Sequence, residues 1–180
     1  MEWSSGDALH DSARGSLRGR GDGEDGGHGP ALPRRPERDL LRILRHPVTT
    51  IASDGEVPVF GRANPHPRSY GTFARVLGVY VREKKALTLE DAVRKMSAAP
   101  AARLGLTDRG VFRPGMRAEM VIFDAAAVRD RATYEKPHPY PEGFSHVIVN
   151  GQVVVENGEL TAARPGRVLY GPGKGRVPRP

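Results

Sequence analysis

Asp54 is the residue of this chain whose position most suggests chemistry. It follows a short apolar and β-branched run at residues 48–52 and is the middle residue of a Ser-Asp-Gly sequence. The run predicts a buried strand, and helices are predicted before and after it, which is typical of a parallel α/β sheet or barrel. In such folds the residues that follow the strands carry the chemistry. An ordinary turn also requires Asp and Gly after a strand, so the spacing alone favours a structural turn.

A second candidate group follows in an irregular loop, rich in Pro and Gly, that extends to Gly71. Loops of more than about 12 residues without secondary structure often bind ligands or cover sites. His66, Arg68 and Tyr70 lie in this loop and together could contact an anionic ligand, with arginine as the best bidentate partner of a carboxylate. Polar residues beside prolines are equally ordinary on the surface of a loop, so both interpretations stay open.

The hydrophobic spacing changes from helical to extended after Asp108. Before this residue, apolar residues at helical spacing predict amphipathic helices, and Thr88 has the position of an N-cap. After it, Asn150-Gly151 is the dipeptide that a two-residue hairpin turn prefers. Helices are therefore predicted within residues 37–45, 72–85, 88–96 and 101–104, and strands at residues 118–123, 146–149 and 152–155.

The composition excludes several kinds of site. The 180-residue sequence contains no cysteine, so it has no disulfide framework, no thiolate metal site and no cysteine nucleophile. No run approaches the ~18 apolar residues of a membrane span, and the first residues lack the basic-then-apolar order of a signal peptide. We therefore expect a cytoplasmic protein without a membrane partner.

The net charge of +7 raises the question of nucleic acid binding. Residues 162–180 carry five basic and no acidic groups, whereas residues 37–161 carry 18 basic and 15 acidic groups. A solvated basic tail is the preferred interpretation, and nucleic acid binding through this tail is the weaker one. At the other end, residues 1–36 are rich in Gly and Arg and almost lack aliphatic side chains, so we expect them to be disordered.

Many short motifs follow one another in a distinctive order. They are Ser53-Asp54-Gly55; His66-Pro67-Arg68 with Tyr70-Gly71-Thr72-Phe73; Leu89-Glu90 with Ala92-Val93-Arg94-Lys95-Met96; Pro100-Ala101 with Arg103-Leu104-Gly105-Leu106; Arg109-Gly110 and Pro114-Gly115; Ala118 with Met120-Val121-Ile122-Phe123-Asp124; and His138 with Tyr140-Pro141-Glu142-Gly143 and Val147-Ile148-Val149-Asn150-Gly151. This order resembles the C-terminal third of the D-aminoacylases, the N-acyl-D-amino-acid deacylases of the amidohydrolase superfamily. The resemblance covers about residues 37–170.

The resemblance implies a fold of the α/β class, a metal-dependent (β/α)8 amidohydrolase barrel beside a small β-sandwich. It makes residues 37–110 the last strand and the closing helices of the barrel, with residues 48–52 as that strand. Residues 111–170 then supply strands of the β-sandwich. Residues 1–36 are an unmatched segment, and residues 171–180 are a tail.

The same resemblance gives Asp54 a chemical role. Asp54 is similar in position to the carboxylate that handles the proton of a metal-activated water while the family hydrolyses the amide bond of an N-acyl-D-amino acid. Zinc is the metal of the family. His66, Arg68 and Tyr70 remain candidates for binding the carboxylate of the substrate.

The metal ligands of the family have no counterpart in this sequence. Members bind metal through a His-x-His pair near the start of the barrel, a Cys or acidic ligand and further His residues, and this sequence has neither a His-x-His pair nor a Cys. We therefore expect no metal site and a C-terminal fragment, from a truncated or frameshifted reading frame, that is inactive alone. The strand at residues 48–52 would then lack neighbours. The alternatives are a non-catalytic interaction module, or one half of a split deacylase that pairs with a complementary N-terminal fragment.

Overall fold

The computed structural model of this protein describes residues 36–170. The disorder predicted for residues 1–36 and the tail predicted at residues 171–180 lie outside the described residues, apart from Pro36. Within the described part, helices come first along the chain and strands follow. The boundary between the two predicted parts at residue 110 stays a prediction.

Four α-helices and one π-helical segment form the first half of the described chain. The predicted helices are confirmed, although the second begins at Arg68 and the last begins at Ala98, two residues before Pro100. The loop predicted to extend to Gly71 therefore ends earlier, and Arg68 and Tyr70 lie on a helix. Thr88 is the N-cap of its helix, because its hydroxyl accepts a hydrogen bond from the backbone N–H of Asp91 at 3.2 Å. The bounds are α1 Glu37–Arg45, α2 Arg68–Arg75 with its direct π-helical continuation Val76–Glu83, α3 Leu89–Met96 and α4 Ala98–Arg103. No helix within residues 36–170 combines the length and the apolar character needed to cross a bilayer.

The predicted strand at residues 48–52 is wrong. These residues pair with no strand in the described part of the chain, and Val48 is 80% exposed. A strand needs a neighbour to satisfy its backbone groups, whereas here the N–H of Ile51 bonds to the carbonyl of Lys95 at 3.0 Å and the N–H of Thr49 bonds to the carbonyl of His46 at 3.1 Å. The side chain of Ile51 still packs against both apolar clusters of the helical part. The segment is therefore anchored by packing and by single hydrogen bonds to α3, not by a sheet.

Lys95 on α3 binds the start of this segment through hydrogen bonds. Its side chain is completely buried, and its ammonium donates to the carbonyl oxygens of His46 at 2.5 Å and Thr49 at 3.4 Å. The carboxylate of Asp91, one turn earlier on α3, lies 3.8 Å away. A buried ammonium requires such partners, because leaving it unpaired is costly. The end of α1 and the start of the segment are thus fixed to α3.

The second half of the described chain is a small antiparallel sheet. Its strands are β1 Met120–Phe123, β2 Phe144–Val149, β3 Gln152–Glu156 and β4 Glu159–Leu160, in the order β1-β2-β3-β4. The predicted hairpin is confirmed, because Asn150 and Gly151 take the positive φ angles of 48° and 79° that connect β2 to β3. Asn157 and Gly158 make the same kind of turn before β4, a short strand that the sequence did not predict.

A close backbone contact joins the sheet to the helices, and we call it the Val128 junction (Gly78, Arg82, Val128 and Gly143). Val128 is fully buried and packs in the main apolar cluster beside Leu77. A Cβ atom on Gly78 would lie 2.9 Å from the carbonyl oxygen of Val128, and one on Gly143 would lie 2.5 Å from its Cα. The guanidinium of Arg82 donates to the same carbonyl at 2.6 Å. Only glycine fits on either side of Val128.

Candidate functional site

Asp54 lies in a strained turn at the surface. Its φ angle is +50°, in the left-handed region that non-glycine residues seldom adopt but that Asp tolerates better than most. Its carboxylate is 82% exposed and forms an ion pair with the guanidinium of Arg68, with 3.0 Å between Oδ2 and Nη1. Strained backbone of this kind is frequent at functional sites.

Gly55 explains how Asp54 reaches Arg68. A Cβ atom at Gly55 would lie only 2.8 Å from the Cα of Ser69, so this turn packs directly on the first residues of α2. The backbone N–H of Gly55 donates to the hydroxyl of Ser53, and that of Glu56 donates to the hydroxyl of Ser69 at 3.3 Å. The Ser-Asp-Gly sequence thus forms a compact turn against a helix start and brings the two charged side chains together.

His66 is attached to the same helix start. Its Nδ1 accepts a hydrogen bond from the backbone N–H of Arg68 at 3.1 Å, which is one of the donors that a helix leaves unsatisfied at its beginning. Its Nε2 lies 3.1 Å from the hydroxyl oxygen of Tyr134, 68 residues further along the chain. Both ring nitrogens of His66 are therefore engaged within the protein.

Tyr70 lies in an aromatic cluster and not at the ion pair. Its ring makes edge contacts with Phe60, His138 and Tyr140, with centroid distances between 5.6 and 6.4 Å. Its hydroxyl is buried and has no hydrogen-bond partner within residues 36–170. A substrate would reach this hydroxyl only if the cluster opened, so the role predicted for Tyr70 stays a prediction and carries that condition.

The structure thus brings together two of the four predicted site residues directly, Asp54 and Arg68, and a third, His66, through a backbone contact. The irregular segment at residues 53–67, which we call the site loop, is held mainly by residues 134–140. Sequence reasoning missed Tyr134 as a partner of His66, and gave His138 and Tyr140 only as parts of a motif. The signal in the sequence was the unusual density of aromatic rings and prolines in residues 134–141.

Asp108 lies elsewhere, in an open cleft of about 370 Å³ that is also lined by Arg109, Arg117, Arg167 and other residues. The hydrogen bond from Arg117 lowers the pKa of Asp108, and that from Arg109 lowers it further. The Nε atoms of the two arginines lie 3.0 and 3.1 Å from the carboxylate oxygens. Since these charges satisfy one another, the cleft contains a structural ion network.

The described residues do not provide a metal site. Within residues 36–170 no group of three or more His, Cys, Asp or Glu side chains is placed to hold a metal ion. Near the site loop, Asp54 is paired with Arg68, and both nitrogens of His66 are engaged. The donor set around Asp54 therefore does not fit the zinc centre that the resemblance implies.

Comparison with known proteins identifies relatives of this chain. It is 45% identical over 133 residues to the N-acyl-D-aspartate deacylase of Alcaligenes xylosoxydans xylosoxydans, and 47% identical over 133 residues to the N-acyl-D-glutamate deacylase of the same organism. A D-aminoacylase from this organism is 46% identical. Each alignment covers 74% of this chain but only 26% or 27% of the relative. The chain thus spans about a quarter of the length of these relatives.

Solved structures agree with the sequence relatives. A crystal structure of D-aminoacylase superposes with a TM-score of 0.69 at 45% identity, over 74% of this chain and 27% of that chain. The N-acyl-D-glutamate deacylase from Bordetella bronchiseptica, complexed with zinc and a phosphonate mimic of the tetrahedral intermediate, gives a TM-score of 0.68 with the same coverage.

The relation extends to the family level. The sequence profile of the amidohydrolase family matches residues 24–155, most of the chain, and thus begins within the segment at residues 1–36 that the resemblance leaves unmatched. The part that matches includes the Asp54 turn, the helices and three of the four strands. This chain belongs to the amidohydrolase family and is related to its D-aminoacylases.

Proposed function

We propose that this chain is the C-terminal portion of an enzyme that hydrolyses the amide bond of N-acyl-D-amino acids, with Asp54 as its proton-transferring residue. The observation that carries the proposal is the exposed Asp54–Arg68 pair in a chain 45–47% identical to three deacylases. Hydrolysis of an amide requires a proton for the leaving amine, and a positioned carboxylate can supply it. Asp54 is accessible enough for this step, because its carboxylate is not enclosed by the protein.

Arg68 suits the carboxylate of the substrate. The guanidinium group has five N–H donors, and within the described residues only its Nη1 is engaged, by Asp54. The remaining donors can bind a second carboxylate, and arginine does so in a bidentate way that also fixes orientation. An N-acyl-D-amino acid bound in this way would hold its amide bond beside Asp54. His66 lies beside Arg68 and completes the polar surface, while Tyr70 would contribute after opening of the aromatic cluster.

The chain does not carry this chemistry by itself in our proposal. The described residues lack a metal-binding donor set, whereas the related N-acyl-D-glutamate deacylase is complexed with zinc, so in our proposal the metal ligands belong to another part of the enzyme. We therefore expect the isolated chain to be inactive.

A specific observation favours a split deacylase as the second candidate. Large apolar side chains on the helical half are exposed, among them Ile43, Phe73 and Leu104 at 43%, 44% and 62%. A further protein segment that packs on the helical half would bury these side chains. The complementary N-terminal three quarters of a deacylase would be the partner, and a purely non-catalytic interaction module is the remaining alternative.

The test mixes the full chain with a separately produced N-terminal three quarters of the related N-acyl-D-aspartate deacylase in buffer that contains zinc. Hydrolysis of N-acetyl-D-aspartate, N-acetyl-D-glutamate and N-acetyl-D-leucine is followed for each part alone and for the mixture. We expect turnover only in the mixture and, because general acid–base catalysis contributes about 10²–10⁴-fold, a loss of that size with Asp54→Asn.

Asp39→Asn is the matched control, because Asp39 is an exposed carboxylate on α1 that also pairs with an arginine. This variant should restore turnover as well as the native chain does. Stoichiometric zinc and turnover with the chain alone would refute the proposal that it is an incomplete enzyme. Full turnover of the mixture with Asp54→Asn would refute the role of Asp54.

A further inference from the structure

The segment at residues 134–140 has no role in the chemistry proposed above, yet it makes the long-range contacts of the site loop. We propose that Tyr134 is a positioning residue for the Asp54–Arg68 pair and acts through His66, while His138 and Tyr140 fasten the site loop. The inference rests on the proposed function for the chemical role of Asp54, but the contacts that carry it can be tested without turnover.

The tautomer of His66 is the first step. A backbone N–H can only donate, so the Nδ1 atom that lies 3.1 Å from the N–H of Arg68 must be the unprotonated acceptor. In the neutral ring the proton is then on Nε2. Pro67 precedes α2 and provides no side-chain cap, so His66 takes over the capping of this helix start.

Tyr134 is the second step, because it selects this ring orientation. The Nε2–H group of His66 donates a hydrogen bond to the hydroxyl oxygen of Tyr134, with 3.1 Å between the two heavy atoms. The two rings meet edge to face, with 5.1 Å between their centroids. Tyr134 is itself held in a tight turn: the N–H of Thr133 bonds to the carbonyl of Lys136, and the N–H of Lys136 bonds to the hydroxyl of Thr133. The hydroxyl of Tyr134 is therefore presented from a fixed position.

Two further contacts hold the site loop on the same segment. The Nε2 atom of His138 lies 3.1 Å from the carbonyl oxygen of Ala63 and donates to it. The ring of Phe60 stacks on Tyr140, with 5.2 Å between centroids and 16° between planes. The loop is thus joined to residues 134–140 at three points, 60, 63 and 66, all between Asp54 and Arg68 in the sequence.

The third step connects the ring of His66 to Asp54. Arg68 makes both contacts: its backbone N–H donates to Nδ1 of His66, and its guanidinium pairs with Asp54. Without the Tyr134 hydroxyl, the His66 ring is free to rotate, the Arg68 N–H loses its acceptor for part of the time, and the ion pair samples a wider range of geometries.

The test uses NMR of the full chain labelled with ¹⁵N and compares Tyr134→Phe with Tyr140→Phe. Both variants keep their ring and lose one hydroxyl, but the Tyr140 hydroxyl makes no hydrogen bond within the described part. In Tyr134→Phe we expect loss of the Nε2–H signature of His66 and exchange of the Arg68 backbone N–H that is about three- to tenfold faster, the effect of losing one neutral hydrogen bond. Tyr140→Phe should leave both signals unchanged.

A double variant distinguishes positioning through His66 from a general structural role. Because Tyr134 acts only through His66 in our proposal, adding Tyr134→Phe to His66→Ala should change the Arg68 N–H and guanidinium signals no further. Asp54→Asn gives the reference signal of an Arg68 guanidinium without its ion pair, and Tyr134→Phe should shift the signal in that direction.

Unchanged His66 and Arg68 signals in Tyr134→Phe, or an additive effect in the double variant, would overturn the inference. Neither readout depends on hydrolysis. Absence of turnover in the mixture described above would thus refute the proposed function and leave the positioning role intact. Turnover in the mixture together with unchanged NMR signals in Tyr134→Phe would refute the positioning role and leave the proposed function intact.

Discussion

The Val128 junction and the site loop each combine close backbone contacts at glycine with an arginine side chain, but the arginine binds a different kind of group in each. At the junction, Gly78 and Gly143 allow two backbone segments to touch Val128, and the arginine donates to a carbonyl. In the site loop, Gly55 lets a turn rest on α2, and the arginine pairs with an exposed carboxylate. The junction therefore fixes the fold through packing, whereas the site loop leaves its charged groups accessible and is held by a few polar and aromatic contacts.

Gly143→Ala should give the largest effect on stability and tests the junction directly. The φ angle of +88° is unfavourable for alanine, and the new Cβ would lie 2.5 Å from the Cα of Val128, which is backbone and cannot rotate away. Together these effects should lower the free energy of unfolding by about 3 kcal/mol, measured by urea denaturation.

Gly115→Ala is the matched control, because its φ angle of +85° is similar but nothing lies within 4 Å of the new Cβ. It should cost only the conformational part, about 1 kcal/mol. Equal losses in the two variants would show that packing on Val128 does not distinguish the junction from an ordinary turn.

Lys95→Met should have the second largest effect on stability and tests whether the segment that leads into the site loop, residues 46–49, is anchored to α3. The variant keeps most of the side-chain volume but removes the donor of the His46 and Thr49 carbonyls. Losing hydrogen bonds from a charged donor should cost about 2 kcal/mol, measured by the same denaturation. The exposed Lys85, whose side chain makes no hydrogen bond within the described residues, provides the control Lys85→Met, which should change stability by less than about 0.5 kcal/mol. A similar cost in both variants would contradict an anchoring role of Lys95.

The sequence predicted the parts of the fold that depend on neighbouring residues. The Thr88 cap and the Asn150-Gly151 turn were correct because each is decided within about four residues. The strand predicted at residues 48–52 was wrong, since β-branched composition shows only that a segment can extend, and pairing depends on a neighbour far away in sequence or in another part of the enzyme.

The sequence suggests a set of candidate site residues, which stay predictions, but it does not predict their arrangement. Residue type and resemblance point to Asp54, His66 and Arg68, yet the group that contacts Nε2 of His66 is the hydroxyl of Tyr134, 68 residues further along the chain. The burial of Lys95 was not predicted for a related reason. Lysine is almost never fully buried, and the two carbonyl groups that its ammonium binds are distant in sequence.

The smallest effect is expected from Asp108, whose contacts resemble the ion pair of the site loop more than the packing of the junction. The hydrogen bond from Arg117, and then that from Arg109, lowers the pKa of Asp108 in the folded protein below its ordinary value of 3.8. A lowered folded pKa means that the carboxylate stabilises the fold above pH 3.8 and that this contribution is lost as the pH falls through the folded value. The stability difference between the native chain and Asp108→Asn, measured by urea denaturation, should thus be constant from pH 7 to about pH 4 and disappear below it.

Two variants show whether this behaviour separates polar contacts from packing. Arg117→Gln removes the largest cause of the pKa shift, so the difference caused by Asp108→Asn should become smaller in that background. The cost of Gly143→Ala, by contrast, arises from backbone contact with Val128 and should be the same at pH 7 and below pH 4. An Asp108→Asn difference that persists at the lowest pH would show that this residue contributes through packing or neutral hydrogen bonds. The stability contributed by Asp108 would then not depend on its charge, and Asp108 would not differ in this respect from the Val128 junction.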